Sequence, residues 1–216
     1  MNKKYKAVIF DMDGVIFDSE QCIIECWKIV AEKYQIPNIE PVLYKCLGVT
    51  YEEGRRIFLT RYGDDFPYDE RKKERSDLYH ERYDGGRLPL KPGVRELLVW
   101  LKENGYKVGV ASSTRKEVVT KQLEDAGLLK YFDNITCGDM VAKSKPEPDI
   151  YLMACERLGV QPEDAVAIED SYNGIKSAHA AGMFPIMVPD LLEPDEEMRK
   201  LSGRIFESLI EVKGWL

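Results

Sequence analysis

The chain has 216 residues, with 31 Lys+Arg against 38 Asp+Glu for a formal charge of −7, and it is 44% hydrophobic and 32% charged. That is the make-up of an ordinary globular protein, and its acidic balance argues against a general nucleic-acid binder. A chain of this length buries roughly 70% of its unfolded surface, so one main domain, with or without an insertion, needs no staple to fold.

The five cysteines, Cys22, Cys26, Cys46, Cys137 and Cys155, are odd in number and contain no C-x-x-C pair. Neither a disulfide framework nor a zinc cage is expected. Lys3, Lys4 and Lys6 precede an apolar run, but Asp11 ends that run after Ala7-Val8-Ile9-Phe10. The run is too short for a signal peptide or a membrane span, so the protein is expected to be cytoplasmic and to have no membrane partner.

In chain order, a first strand is predicted at Tyr5 to Phe10. The segment from Phe17 to Arg87 then offers no strand-like run and reads as consecutive helices. Ile23, Trp27, Val30, Ala31 and Tyr34 form one apolar stripe that Pro37 ends, and Thr50-x-x-Glu53 is a capping box opening a further helix toward Tyr62-Gly63. Glu70 to Tyr83 is highly charged and reads as a solvated helix, after which Gly85-Gly86 and Pro89 supply a return. Val94, Leu97, Leu98 and Leu101 then mark a helix face closed by Asn104-Gly105. Strands are predicted at Lys107 to Ala111, Asn134 to Cys137, Ala165 to Ile168 and Ile186 to Val188. Between them run the helix faces Tyr151, Ala154, Cys155, Leu158 and Ile175, Ala178, Ala181. This alternation predicts an α/β protein with a mostly parallel sheet, interrupted by a helical subdomain over residues 17–87.

Four segments carry chemistry. Asp11-Met12-Asp13-Gly14 follows the first strand directly, and in an extended segment residues two apart face one side, so both carboxylates can converge on one ligand. The second core strand delivers Ser112-Ser113-Thr114, hydroxyls and N–H groups suited to a phosphate. Thr114-x-x-Glu117 reads as a capping box there, leaving Ser112 for a ligand. Lys145 lies in a stiff turn, Lys145-Pro146-Glu147-Pro148, before a helix starting near Asp149. Glu169 and Asp170 end the fourth strand, where Asp170 or Ser171 can cap the next helix. Four carboxylates near one sheet edge repel one another, and a hard divalent cation, Mg²⁺ first, would remove that conflict.

D-x-D-G-V at Asp11 to Val15, Ser112 after a strand, Lys145 in K-P-x-P, and E-D-S-x-x-G-I at Glu169 to Ile175 together resemble the haloacid dehalogenase superfamily, in its β-phosphoglucomutase-like branch with a helical cap. The resemblance spans nearly the whole chain. It implies a Rossmann-like three-layer α/β/α core over residues 1–16 and 88–216 and an inserted four-helix-type cap over residues 17–87. It further implies that Asp11 is the nucleophile that becomes an aspartyl phosphate and that Asp13 is the general acid and then base. Asp11 and Asp170 would bind Mg²⁺ through side chains, Asp13 through its carbonyl, and Glu169 would ligate or orient; Ser112, the Ser113 N–H and Lys145 would hold the phosphoryl oxygens.

The sequence departs from the mutase pattern in the cap. Where the mutases carry a histidine stands Ile23, and where they carry a K-G-V-S-R loop stands Leu47-Gly48-Val49-Thr50-Tyr51, without either cation. Arg55 and Arg56 read as solvated or paired, and neither His80 nor His179 is assigned a catalytic role. The expectation is therefore a Mg²⁺-dependent, monomeric phosphatase that hydrolyses a small phosphate monoester, a sugar phosphate or similar metabolite, with Gly48, Thr50 and Tyr51 selecting the substrate. The alternatives are a sugar phosphomutase, a dehalogenase, and a non-catalytic phosphometabolite-binding protein.

Overall fold

The computed structural model describes residues 4–216, so Lys3 of the basic N-terminal cluster lies outside the described residues. Six parallel strands, β1 (Ala7–Phe10), β2 (Lys107–Ser112), β3 (Asn134–Cys137), β4 (Ala165–Glu169), β5 (Phe184–Met187) and β6 (Arg204–Ile205), form one sheet in the order β3-β2-β1-β4-β5-β6. Between β1 and β2 lie α1 (Ser19–Lys33), α2 (Glu40–Lys45), α3 (Tyr51–Tyr62), α4 (Tyr68–Tyr83) and α5 (Val94–Glu103). The later helices are α6 (Lys116–Asp125), α7 (Asp149–Leu158), α8 (Tyr172–Ala180), α9 (Glu196–Leu201) and α10 (Leu209–Trp215). No helix among the described residues is long and apolar enough to cross a membrane.

The three layers follow from the strand period of two. Val8, Phe10, Val108, Val110, Val166 and Ile168 point to one side, where the α5 face Val94, Leu97, Leu98 and Leu101 is fully buried with them. Ala7, Ile9, Ala111, Ala165 and Ala167 point to the other and meet Ile150, Tyr151, Ala154 and Leu158 of α7 and Ala178 of α8. The alanines on that face let α7 come close to the sheet. Each fully buried leucine of α5 stabilises the fold by about 1.5–3 kcal/mol.

Between β1 and α5 the chain builds α1 to α4, which hold a separate apolar cluster: Ile24, Trp27, Val30, Val42, Leu43, Phe58 and Tyr68 are buried in it. Two chain segments connect these helices to the sheet and run side by side. The Asp18 N–H bonds the Pro89 carbonyl and the Lys91 N–H bonds the Ile16 carbonyl, each at 2.9 Å.

Several boundaries differ from the sequence reading. β1 starts at Ala7, and the Tyr5 ring packs against Phe184 and Trp215. β5 starts at Phe184 and ends at Met187, so Val188 lies beyond it. Tyr34 leaves the expected buried stripe and is 38% exposed, its ring covered by the Arg71 guanidinium at 3.4 Å. The α4 helix is solvated on one side only, since Tyr68 and Tyr79 are buried. The two-residue β6 and helices α2, α9 and α10 carry too little periodicity to be read from the sequence.

Candidate active site

The carboxyl ends of β1, β2 and β4 meet in the middle of the sheet, so the segments leaving them converge on one place. Asp11 follows β1 and its N–H bonds the Ile168 carbonyl of β4 at 2.9 Å. Gly14 then turns the chain with φ +77°, and its missing side chain leaves room for Asp170: a Cβ there would lie 2.2 Å from Asp170 Oδ2. Gly174 does the same for Glu169, whose carboxylate would overlap any side chain at that position.

Lys145 reaches this centre from the loop before α7. Its Nζ donates to Asp11 Oδ1 at 2.5 Å, Glu169 Oε1 at 2.6 Å and the Ala111 carbonyl at 2.9 Å, so all three of its protons are used. Burial alone would depress this ammonium, but the charges of Asp11 and Glu169 outweigh it and raise its pKa above the ordinary lysine value. Tyr151 of α7 completes the array by donating to Glu169 Oε1 at 2.6 Å. The second Glu169 oxygen accepts from the Ser171 hydroxyl at 3.1 Å. Glu169, fully buried, thus orients Lys145 from behind.

Asp13 is engaged differently. Its Oδ1 accepts from the Ser19 hydroxyl at 2.7 Å and its Oδ2 from the Thr114 hydroxyl at 3.3 Å. Burial raises its pKa, more than these hydrogen bonds lower it. The Asp11 carboxyl is pushed up to about 8, first by burial, with Glu169 and Asp13 adding to it against the pull of Lys145. Burial, then Glu169 and Asp11, likewise raise Asp170 well above the carboxylate range.

This is a site short of positive charge. Carboxylate oxygens of Asp11, Glu169 and Asp170 all lie within 4.8 Å of one another, a hard-oxygen donor set that fits a divalent cation such as Mg²⁺. Asp13 is not in that side-chain group; its carboxylate is held by Ser19 and Thr114. Within that group Glu169 already accepts from three side chains, Asp11 from Lys145, and Asp170 from none among the described residues.

A cavity of about 530 Å³ opens over this centre, and Asp11, Asp13, Ser113, Lys145, Gly48 and Thr50 are in its wall. Asn173 of α8 donates to the Gly48 carbonyl at 3.0 Å and draws the loop before α3 onto the core. Three expected details change. Thr114 does not cap α6; its hydroxyl turns to Asp13, and the first turn of α6 is served instead by Asp139 Oδ1, which accepts from the Lys116 N–H at 3.1 Å. Ser112 is buried and its Oγ accepts the Thr114 N–H at 3.1 Å, so Ser113 forms the wall at that strand end. Tyr51 does not line the cavity: it bonds Asp69 and lies under the Lys72 ammonium, 4.2 Å from its ring, 44% exposed.

Other expectations agree with the geometry. Thr50 caps α3, accepting the Glu53 N–H at 3.3 Å, and Ser171 rather than Asp170 caps α8, accepting the Gly174 N–H at 3.0 Å. Arg56 is paired with Glu53, and Arg55 lies 3.7 Å from Asp69. Sequence reasoning missed Ser19, Glu20, Tyr151, Asn173 and Asp190, of which Glu20, Asn173 and Asp190 line the cavity. Ser19 and Glu20 lie a few residues after the first motif and Asn173 inside the last one, the local signals they offered.

Residues 8–188 match the family described as haloacid dehalogenase-like hydrolase. The chain is 37% identical over 186 residues to the phosphorylated carbohydrates phosphatase of Thermotoga maritima, an alignment covering 82% of each chain. It is 34% identical over 217 residues to the beta-phosphoglucomutase of Bacillus subtilis, covering 95% of this chain and 94% of the relative. Among solved structures, that of CbbY from Rhodobacter sphaeroides in complex with phosphate superposes with a TM-score of 0.73 at 27% identity, covering 96% of each chain.

Proposed function

The chain belongs to the haloacid dehalogenase-like hydrolases, and on that premise we propose that it is a phosphatase of small phosphorylated metabolites, sugar phosphates foremost, carrying the phosphoryl group on Asp11. The observation that supports this best is the pairing of Asp11 with Lys145 at 2.5 Å beside an Asp13 held by two hydroxyls at the mouth of one cavity. The names of the relatives, a phosphorylated carbohydrates phosphatase and a beta-phosphoglucomutase, support the substrate class.

In the first half-reaction an Asp11 carboxylate oxygen bonds to phosphorus while the ester P–O bond breaks, and protonated Asp13 gives its proton to the leaving oxygen. In the second, Asp13 takes a proton from water, the water oxygen bonds to phosphorus, and the acyl phosphate bond breaks to release phosphate and restore Asp11. Ser19 and Thr114 hold the Asp13 carboxyl in place for both transfers, and Glu169 and Tyr151 keep the Lys145 ammonium aimed at Asp11. Mg²⁺, held by Asp11 and Asp170 with the Asp13 carbonyl, would neutralise charge on the phosphoryl oxygens. Residues 17–87 would act as a cap over a core of residues 1–16 and 88–216, with closure excluding bulk water.

Hydrolysis is favoured over a mutase reaction because Ile23, packed among apolar side chains, Leu47 and Tyr51 supply no group to choose a sugar hydroxyl or grip a second phosphate. Asp11→Asn is the test: phosphate release from p-nitrophenyl phosphate with Mg²⁺ should vanish, and full turnover in that variant would refute the assignment. Phosphate release from a sugar phosphate supports the phosphatase; an isomeric sugar phosphate would support the mutase.

A further inference from the structure

Beyond Asp13 the cavity continues toward α1 and the segment after β5, where the group leaving with the ester oxygen must lie if the phosphatase reading holds. Glu20 of α1 and Asp190 of that segment are in this part of the wall. Asp190 is unused by the phosphoryl chemistry, and its side chain is only 5% exposed. Its Oδ1 accepts from Lys91 at 2.6 Å, whereas its Oδ2 is buried without a partner among the described residues. A buried carboxylate oxygen with no donor is costly, and its persistence in a cavity wall points to a donor that arrives with the ligand.

The two lysines nearby other than Lys145 are already paired. Lys91 serves Asp18 and Asp190, and Lys176 of the same wall pairs with Glu197 at 2.8 Å. Arg75 of α4, whose charge partly offsets that of Glu20, has a buried Nε without a partner among the described residues, but it is not in the cavity wall. Carboxylates in a wall that presents no free cation attract hydroxyl donors and repel a second phosphate or a carboxylate.

We propose that Asp190, with Glu20 beside it, reads a hydroxyl of the leaving group, so that the enzyme prefers phosphate monoesters of neutral polyhydroxy compounds over bisphosphates and phosphorylated carboxylic acids. The assignment rests on the phosphatase reading and narrows it. The experiment compares kcat/KM for sorbitol 6-phosphate, hexyl phosphate, 6-phosphogluconate and fructose 1,6-bisphosphate, with Mg²⁺, in the full-length protein. Wild type should prefer sorbitol 6-phosphate to each of the others by about tenfold or more, the size of one hydrogen bond to a charged group. Asp190→Asn should compress the sorbitol-to-hexyl ratio and raise relative turnover of the bisphosphate.

Lys91→Met separates reading from scaffolding, since it breaks the same anchor but keeps the carboxylate. Equal changes of the ratio in both variants, or a wild type that takes the bisphosphate as readily as sorbitol 6-phosphate, overturn the proposal alone. No turnover of any ester, p-nitrophenyl phosphate included, overturns the phosphatase reading and this one with it.

Discussion

Replacing Gly14 by alanine tests how tightly the first motif and Asp170 are fitted. The backbone there has φ +77°, and a residue with a Cβ in that region loses about 1–2 kcal/mol. For a chain of this length that lowers Tm by roughly 2–8 °C. The added Cβ would also lie 2.2 Å from Asp170 Oδ2 and 2.6 Å from its Cγ, so the carboxylate must retreat to reach ordinary contact at 3.4 Å. A shift of about 1 Å at a reacting centre costs on the order of 100-fold in rate. We therefore expect kcat/KM on p-nitrophenyl phosphate to fall about 100-fold and the Mg²⁺ concentration for half-maximal rate to rise. Gly127→Ala is the control, because its φ is +67° but nothing lies within 4 Å of the added atom. It should lose comparable stability and keep its turnover. If Gly14→Ala melts lower yet retains wild-type turnover and Mg²⁺ demand, Asp170 is not placed by this close approach and the reasoning fails.

Chelation by EDTA should abolish phosphate release, and Mg²⁺ should restore it; the ion should also raise Tm, because the proposed ligands Asp11 and Asp170 come together only in the folded chain, where a cation would relieve the repulsion within the carboxylate group. A melt that does not move across millimolar Mg²⁺ contradicts the ion's place there. Tyr151→Phe removes one donor from buried Glu169, so a stability loss of about 1.5–3 kcal/mol is expected together with a lower kcat, read by chemical denaturation and steady-state kinetics. Asn173→Ala cuts the bond to the Gly48 carbonyl and should raise KM several-fold while the melting curve stays within a few degrees; a change in kcat alone would assign Asn173 another task.

Three of the four motif segments were legible because each is local: an apolar run ends, and polar residues follow at once. Asp11 and Asp170 could be singled out in this way, whereas Lys145, eight residues beyond β3, was marked only by the K-P-x-P match to the family; the structure brings all three together. The same local reading misjudged Thr114. Its capping spacing with Glu117 was real, but Asp139, from the turn after β3, reaches the helix start and frees the hydroxyl for Asp13. Tyr51 was placed at the substrate by its position beside Gly48, whereas the turn of α3 carries it round to Asp69 and Lys72.

The amino-acid order alone determined the α/β alternation, the helical insertion and the segments that bear charge, since periodicity, caps and breakers act over a few residues. Tertiary structure alone decided how each carboxylate of the site is engaged. Glu169 and Asp170 are adjacent in the chain, yet Lys145, Tyr151 and Ser171 engage the first and leave the second open. Asp190 became part of the cavity for the same reason: strand order brings the end of β5 beside β4, and contacts across such distances in sequence are set by how sheet and helices bury their apolar faces, not by any neighbouring residue.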